Sequence, residues 1–280
     1  MTTVISWFGA DSKRTGQKPA SLYFASDSRI SWEQKDKSVV TWDHIKKVFA
    51  ARTTPDIFAL AGNVELAVTL VSQIVSLAEH GLLFDDKDSA KTRFGKFVFA
   101  IKRNWNSYPW PQSVDLNFMH GFRIGEGVES EFYVGVLSYF SKKQEWHEQL
   151  LLCPNAKNSS VLEGLGTGKS VALEWIEKWN NTSEGNTSRV VFSGLCDAIR
   201  SNTDKASGGA PQLVRLYRKG SGAAVGVTWC GQRYFDGQQI YKEQIAEGVE
   251  WRNDLFEIVD GVSQERISGA QVHKKPIIEQ

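Results

Sequence analysis

Apolar residues recur along the chain with two different periods, and the switches between them divide it into elements. Residues 3–8 and 22–25 are short β-rich runs. The polar, glycine-containing stretch 12–18 between them reads as a turn, so residues 1–28 predict a hairpin. Residues 47–51 and 57–61 predict two more strands around the Thr53-Thr54-Pro55 turn. The period then changes. Ala67, Leu70, Val71, Ile74, Val75 and Ala78 follow i, i+3, i+4, i+7, i+8, i+11, which is one face of an α-helix. Asn63 is placed to cap its start and Gly81 to end it. Phe94, Phe97, Val98, Ile101 and Trp105 mark a second helix, closed by Pro109 and Pro111. Strands return at 114–122, 132–139 and 146–152. Two further helices follow, through Ala172, Trp175, Ile176 and Trp179 and through Val191, Leu195, Ala198 and Ile199. Residues 212–218 and 223–229 predict late strands.

Strands grouped in hairpins argue for antiparallel sheets, and the helix pairs between them supply covers for the outer faces. The expected fold class is α+β, a four-layer αββα sandwich of two antiparallel sheets flanked by helices, because that arrangement satisfies every apolar face. No repeat of fixed period and no low-complexity linker interrupts the pattern. Residues 1–230 are expected to form one domain and residues 231–280 a C-terminal extension packed on or beside it.

Composition narrows the function. A hydrophobic share of 41% in 280 residues supports a sizeable core. The net charge of +1, from 33 basic and 32 acidic residues, argues against nucleic acid or an anionic membrane as partner. No apolar run is long enough to span a bilayer, and the N-terminus lacks the pattern of a signal peptide. Cys153, Cys196 and Cys230 are odd in number and far apart, so they read as free thiols in a reducing compartment, with the cytoplasm as the expected location. His44, His80, His120, His147 and His273 form no metal-binding pattern. Neither a metal nor a cofactor is expected.

Several segments carry chemistry. Thr2 follows the initiator Met1, and a free N-terminal threonine holds a hydroxyl nucleophile and its own base on one residue. An α-amino group has a pKa of roughly 7.7–8.0, close enough to neutrality to accept the hydroxyl proton. Asp27, in Ser26-Asp27-Ser28-Arg29, ends the second strand. Lys47, in Ile45-Lys46-Lys47-Val48, would need a partner charge if buried, and Asp27 is a candidate. Leu60-Ala61-Gly62-Asn63 joins a strand to a helix, where a backbone N–H is a natural oxyanion donor. Gly166-Thr167-Gly168 forms a glycine-rich turn. The surrounding residues 164–170 lack the first glycine of a phosphate loop, Glu163 standing there, and no apolar strand is read directly before them. Asp204-Lys205-Ala206-Ser207-Gly208-Gly209 follows the fourth helix. Read alone, each segment also has a plainer reading: a strand-end turn, two solvated lysines, a strand-to-helix turn, a glycine-rich helix exit.

Their order and spacing together resemble the proteasome β-subunit family and its bacterial relative, the HslV peptidase. Met1-Thr2-Thr3-Val4-Ile5-Ser6 is similar to the HslV start. Ala25-Ser26-Asp27-Ser28-Arg29 is similar to the family's strand-end Asp-Ser-Arg, and Ile45-Lys46-Lys47-Val48 to its catalytic-lysine strand. Gly166-Thr167-Gly168 resembles its Gly-Ser-Gly turn, with threonine for serine, and residues 204–209 match the proteasomal Asp-x-x-Ser-Gly-Gly. The resemblance runs from Met1 to about Trp229. It implies that Thr2 attacks a peptide carbonyl, that Lys47 with Asp27 tunes it, and that the Gly62 N–H stabilises the oxyanion. Thr167, Asp204 and Ser207 would hold the Thr2 amine and a water. It further implies a substrate pocket lined by Ile30, Ser31, Ile45, Phe49, Leu60 and Val64, hence an apolar residue on the acyl side of the cut. The implied partners are a peptide or unfolded protein as substrate, further copies of the chain in a homo-oligomeric ring, and room for an ATPase unfoldase. A retained Met1 would leave Thr2 without a free amine. A small-molecule amidase of the same fold, or a non-catalytic structural subunit, are the two competing functions.

Overall fold

The computed structural model describes residues 2–11, 18–109 and 115–278. In it, strand parity sorts the first two strands between two cores. Strands β1 (Val4–Ala10) and β2 (Pro19–Ser26) pair antiparallel from Val4↔Ser26 onward. Val4, Phe8, Leu22 and Phe24 face one side, and Ile5, Trp7, Tyr23 and Ala25 the other. Both sides are apolar because both faces are covered, so these strands read as continuous runs rather than as alternation.

The chain continues through β3 (Ile30–Glu33), β4 (Val39–Trp42), β5 (Val48–Ala50) and β6 (Asp56–Gly62), then helices α1 (Val64–Glu79) and α2 (Ala90–Ser107). Strands β7 (Leu116–Ile124), β8 (Glu131–Phe140), β9 (Glu145–Leu152) and β10 (Ser160–Leu165) come next, followed by α3 (Lys169–Asn180) and α4 (Ser188–Ser201). Strands β11 (Gln212–Tyr217), β12 (Ala223–Trp229), β13 (Gln232–Phe235), β14 (Gln238–Ile240), β15 (Trp251–Asn253) and β16 (Ile258–Val259) complete the order. One sheet of nine strands runs β10-β1-β2-β11-β12-β13-β14, with β15 beside β12 and β16 beside β15. A second, antiparallel sheet of five runs β5-β6-β7-β8-β9, and β3-β4 form a separate ribbon.

Three cores separate the layers. Val4, Phe24, Ile57, Met119 and Val214 pack between the two sheets. Trp7, Tyr23, Ile176, Trp179 and Phe192 pack between the first sheet and α3–α4. Phe58, Leu60, Val71, Phe97 and Ile101 pack between the second sheet and α1–α2. The result is the αββα sandwich expected from the sequence. Asn63 caps α1 as expected, its side chain accepting from the Leu66 N–H at 3.4 Å.

The structure adds elements that the pattern did not reveal. The β3–β4 ribbon, β10 and β13–β16 are short or lie at sheet edges, where half-exposed residues carry little periodicity. Strand β10 corrects the reading that no strand precedes the glycine-rich turn: its residues pair with β1 through Val4↔Leu165 and Ile5↔Gly164. Residues 232–259 continue the first sheet, with Trp251 buried and paired beside Gly226. The expected turn at 12–18 lies outside the described residues except for Lys18, as do Pro111 and Val114. No helix among the described residues is long and apolar enough to cross a membrane.

A buried polar cluster anchors the start of β6. Arg93 of α2 donates from both Nε and Nη2 to Asp56, and His120 Nε2 lies 2.7 Å from Asp56 Oδ1. His120 stacks on Phe58 and Phe84, with ring centroids 4.8 and 5.0 Å away. Burial pushes the Asp56 carboxyl up, but the hydrogen bonds from His120 and Arg93 outweigh it and hold it at about 2. Burial also lowers the pKa of His120, against the pull of Asp56. Both shifts mean that the unfolded chain binds more protons than the native one, so acidification destabilises the fold. The melting temperature is therefore expected to fall as pH drops below the ordinary histidine range, and further between about pH 4 and 2. Asp56→Asn strands Arg93 in the core and should cost roughly 3–5 kcal/mol in denaturant unfolding. A pH-independent melt, or a wild-type-like Asn variant, contradicts this account.

Candidate active site

The ends of β1, β2, β6 and β10 meet at one edge of the sandwich, and Asp27 sits where they converge. Its carboxylate is completely buried and accepts four hydrogen bonds. Oδ1 accepts from the Thr3 N–H at 2.9 Å and from Lys47 Nζ at 2.8 Å. Oδ2 accepts from the N–H groups of Arg29 at 3.1 Å and Gly208 at 3.0 Å. A buried carboxylate is tolerated only when paired and fully hydrogen-bonded, and this one is both. Lys47, equally buried, donates in addition to the Arg29 carbonyl at 2.6 Å. Burial lowers its pKa below the ordinary lysine value, against the opposing pull of Asp27.

The loop after α4 closes the other side. Ser207 Oγ donates to Asp204 Oδ2 at 2.7 Å and lies 2.6 Å from Thr3 Oγ1. The Asp204–Ser207 pair thus grips Thr3, the neighbour of Thr2. Gly166 and Gly168 allow β1 and this loop to meet. A methyl on Gly166 (φ +87°) would fall 1.8 Å from the Thr2 carbonyl oxygen. One on Gly168 would fall 1.9 Å from Thr3 Oγ1 and 2.7 Å from Asp204 Oδ2. A strand does precede the turn, but Glu163 still stands where the first glycine of a phosphate loop would be.

A cleft of about 810 Å³ opens at this edge, lined by Thr2, Ile30, Ser31, Trp32, Ala61, Gly62, Val64 and Thr167 among others. Gly62 holds φ +116°, and a side chain there would meet the Asp115 carbonyl oxygen at 2.1 Å. Its backbone therefore turns directly into the capped start of α1, whose positive dipole end faces the cleft side. The structure brings Thr2, Gly62 and Thr167 to one cleft, with Ile30, Ser31 and Val64 on its walls. It does not bring Ile45, Phe49 or Leu60 there. Phe49 and Leu60 point into the core against α1 and α2, because strand parity turns Ala61 rather than Leu60 towards the cleft. Ile45 instead spends its backbone on the Ser28 carbonyl and the Gln212 side chain.

Two contributors escaped the sequence reading. Thr3 looked like a plain strand residue. Gln212, almost fully buried, accepts from the Lys47 N–H at 3.1 Å and donates to the carbonyls of Asp27 at 3.2 Å and Ile45 at 2.6 Å. It clamps the two segments that carry the ion pair. The signal was a lone amide opening an apolar strand. Among the described residues no cluster of His, Cys, Asp or Glu is arranged for a metal ion, and the three cysteines are free.

The close approach at Gly168 yields a test. Gly168→Ala forces a methyl between Thr3 and Asp204 and should lower stability by about 1–3 kcal/mol. Gly95→Ala, where a methyl meets nothing within 4 Å, should be neutral or stabilising. Thermal melts that rank the two variants the other way would refute the packing described.

Neither a family model nor a curated relative matches the sequence. Among solved structures the chain is similar to a subunit of the helical assembly of the Anbu complex from Pseudomonas aeruginosa. There it shows 14% identity and a TM-score of 0.47 over 79% of this chain and 86% of that one. It is similar at 15% identity and a TM-score of 0.47 to Thiobacillus denitrificans BPH in complex with epoxomicin, over 78% and 100% of the two chains. A third likeness is to Anbu, an ancestral β-subunit, from Yersinia bercovieri, at 11% identity and a TM-score of 0.47, over 79% and 86%.

Proposed function

We propose that the protein is an N-terminal-nucleophile hydrolase that cleaves peptide bonds through an acyl-enzyme on Thr2, once Met1 has been removed. The observation that carries this reading is the fully buried Lys47–Asp27 pair, bonded to the backbone of Thr3, beside a cleft that Thr2 lines. Burial lowers the Lys47 pKa below the ordinary lysine value, against the pull of Asp27, and a shift of this kind beside a cleft is a mark of functional lysines. Two of its three N–H donors serve Asp27 and the Arg29 carbonyl, and the third would serve the Thr2 hydroxyl.

In this reading the freed Thr2 amine takes the hydroxyl proton as Oγ1 attacks the peptide carbonyl. The developing oxyanion is received by the Gly62 N–H at the start of α1. The leaving amine takes the proton back, and a water then releases the acyl group. Asp204 and Ser207 act as positioning residues through Thr3, while the Thr167 hydroxyl would face the water or the amine. Ile30, Ala61 and Val64 on the cleft walls support an apolar side chain on the acyl side of the cut. Assembly of copies into a ring around the cleft, served by an ATPase unfoldase, belongs to the same proposal.

The test is covalent labelling with an epoxyketone or β-lactone probe, followed by intact mass. The wild type is expected to gain one adduct on Thr2, and Thr2→Ala none. Lys47→Met should slow labelling by about 10²-fold or more. Adducts that persist in Thr2→Ala would overturn the assignment.

A further inference from the structure

Strands β13 and β14 lie beyond the stretch of family resemblance, which ends near Trp229, yet the tip of their hairpin touches the segment that carries Lys47. The two strands pair Phe235 with Gln238, so Asp236 and Gly237 form a two-residue turn. Their φ angles are +52° and +83°, the left-handed pair that a tight hairpin turn of this length requires. Asp-Gly is one of the few sequences that adopt it readily. The tip is therefore set by its own sequence, and it can hold what it touches.

Three contacts run from the tip to residues 44–46. Asp236 forms an ion pair with Lys46. The Gly237 carbonyl oxygen lies 3.3 Å from His44 Nδ1. Gly237 itself is buried, and a methyl there would fall 2.9 Å from Gln212 Nε2 and 3.1 Å from the Ile45 carbonyl oxygen. Gln212 is the next link. Its Nε2 donates to the carbonyls of Ile45 at 2.6 Å and Asp27 at 3.2 Å, and its Oε1 accepts from the Lys47 N–H at 3.1 Å. Direct contacts thus lead from Gly237 through Gln212 to the Lys47 backbone, and the Lys47 side chain ends on Asp27. Strand β5 has three residues, lies at a sheet edge and starts after Lys47, so residues 44–46 need partners outside its ladder. The turn and Gln212 are among them.

We propose that the β13–β14 turn is a positioning element for the reaction: through Gln212 it fixes the Lys47 backbone, and with it the place of the ammonium that serves Thr2. The proposal rests on the peptidase reading of the cleft. Neither Asp236 nor Gly237 lines that cleft, so the turn acts through Lys47 and touches no reacting atom.

The experiment compares Gly237→Ala with Gly231→Ala. Gly231 (φ +76°) stands at the neighbouring β12–β13 turn, where a methyl meets nothing within 4 Å. Both variants put a side chain on left-handed backbone, but only Gly237→Ala presses on Gln212 and Ile45. Relative to Gly231→Ala, it is expected to lower the maximal rate of epoxyketone labelling of Thr2 roughly ten-fold, with the probe concentration for half-maximal rate unchanged. In a Lys47→Met background the same substitution should change the rate by less than about two-fold, because the effect passes through the ammonium. Equal rates in the two glycine variants would overturn the proposal, as would a ten-fold loss that persists without Lys47. Should Gly237→Ala not fold, Asp236→Asn keeps a turn-forming pair but neutralises the partner of Lys46. It should slow labelling about two- to three-fold, and a wild-type rate there would overturn the proposal. Hydrogen exchange gives a readout independent of the chemistry. The amides of residues 44–48 should exchange about ten-fold faster in Gly237→Ala than in Gly231→Ala, with those of β7 and β8 unchanged. Absence of any probe adduct on wild-type Thr2, with that exchange difference intact, would sink the peptidase reading alone. Adducts on Thr2 with equal exchange in the two variants would sink the role of the turn alone.

Discussion

The buried carboxylate of Asp27 is the constraint on which the site depends. Removing a carboxylate and an ammonium from water costs several kcal/mol for each ion, and their attraction offsets this only with good geometry and every remaining donor and acceptor used. Asp27 meets the condition through the Lys47 ammonium and three backbone N–H groups. Those three come from the start of β1, the turn after β2 and the loop after α4. One side chain therefore fixes the relative positions of segments far apart in sequence, and Thr2 is carried into the cleft by its peptide link to Thr3.

Around that centre, backbones approach more closely than side chains permit. Gly166 lies against the Thr2 carbonyl, Gly168 against Thr3 and Asp204, and Gly208 against the Arg29 guanidinium. Glycine is costly to order, so these positions are accepted where close approach requires them. The four-layer architecture makes the approach possible: two sheets share one core, and the strand ends that carry Thr3, Asp27, Gly62 and Gly166 emerge at one edge.

The layers were legible in the sequence because α1, α2, α3 and α4 each carry a long 3.6-period stripe and the central strands are strongly apolar. Asp27, Lys47 and Gly62 were legible because each borders such a strand: Asp27 follows β2, Lys47 precedes β5 and Gly62 ends β6. The short strands were not: β10 is broken by Glu163 and Gly164, and the exposed residues of β4 have no core to face. Thr3 and Gln212 act through hydrogen bonds to partners 204 and 165 residues away, which no local pattern encodes. Phe49 and Leu60 were misplaced because family resemblance gives a position along a strand, whereas its parity decides which face a side chain takes.

The most direct test of this account is a double-mutant cycle on the ion pair, read by denaturant unfolding with Asp27→Leu, Lys47→Met and the pair combined. The account predicts that each single change costs about 3–5 kcal/mol, because it leaves a buried charge unpaired. The double variant should recover on the order of 3 kcal/mol of the summed loss. Single costs that add within about 0.5 kcal/mol would contradict it, since the two groups would then not depend on each other.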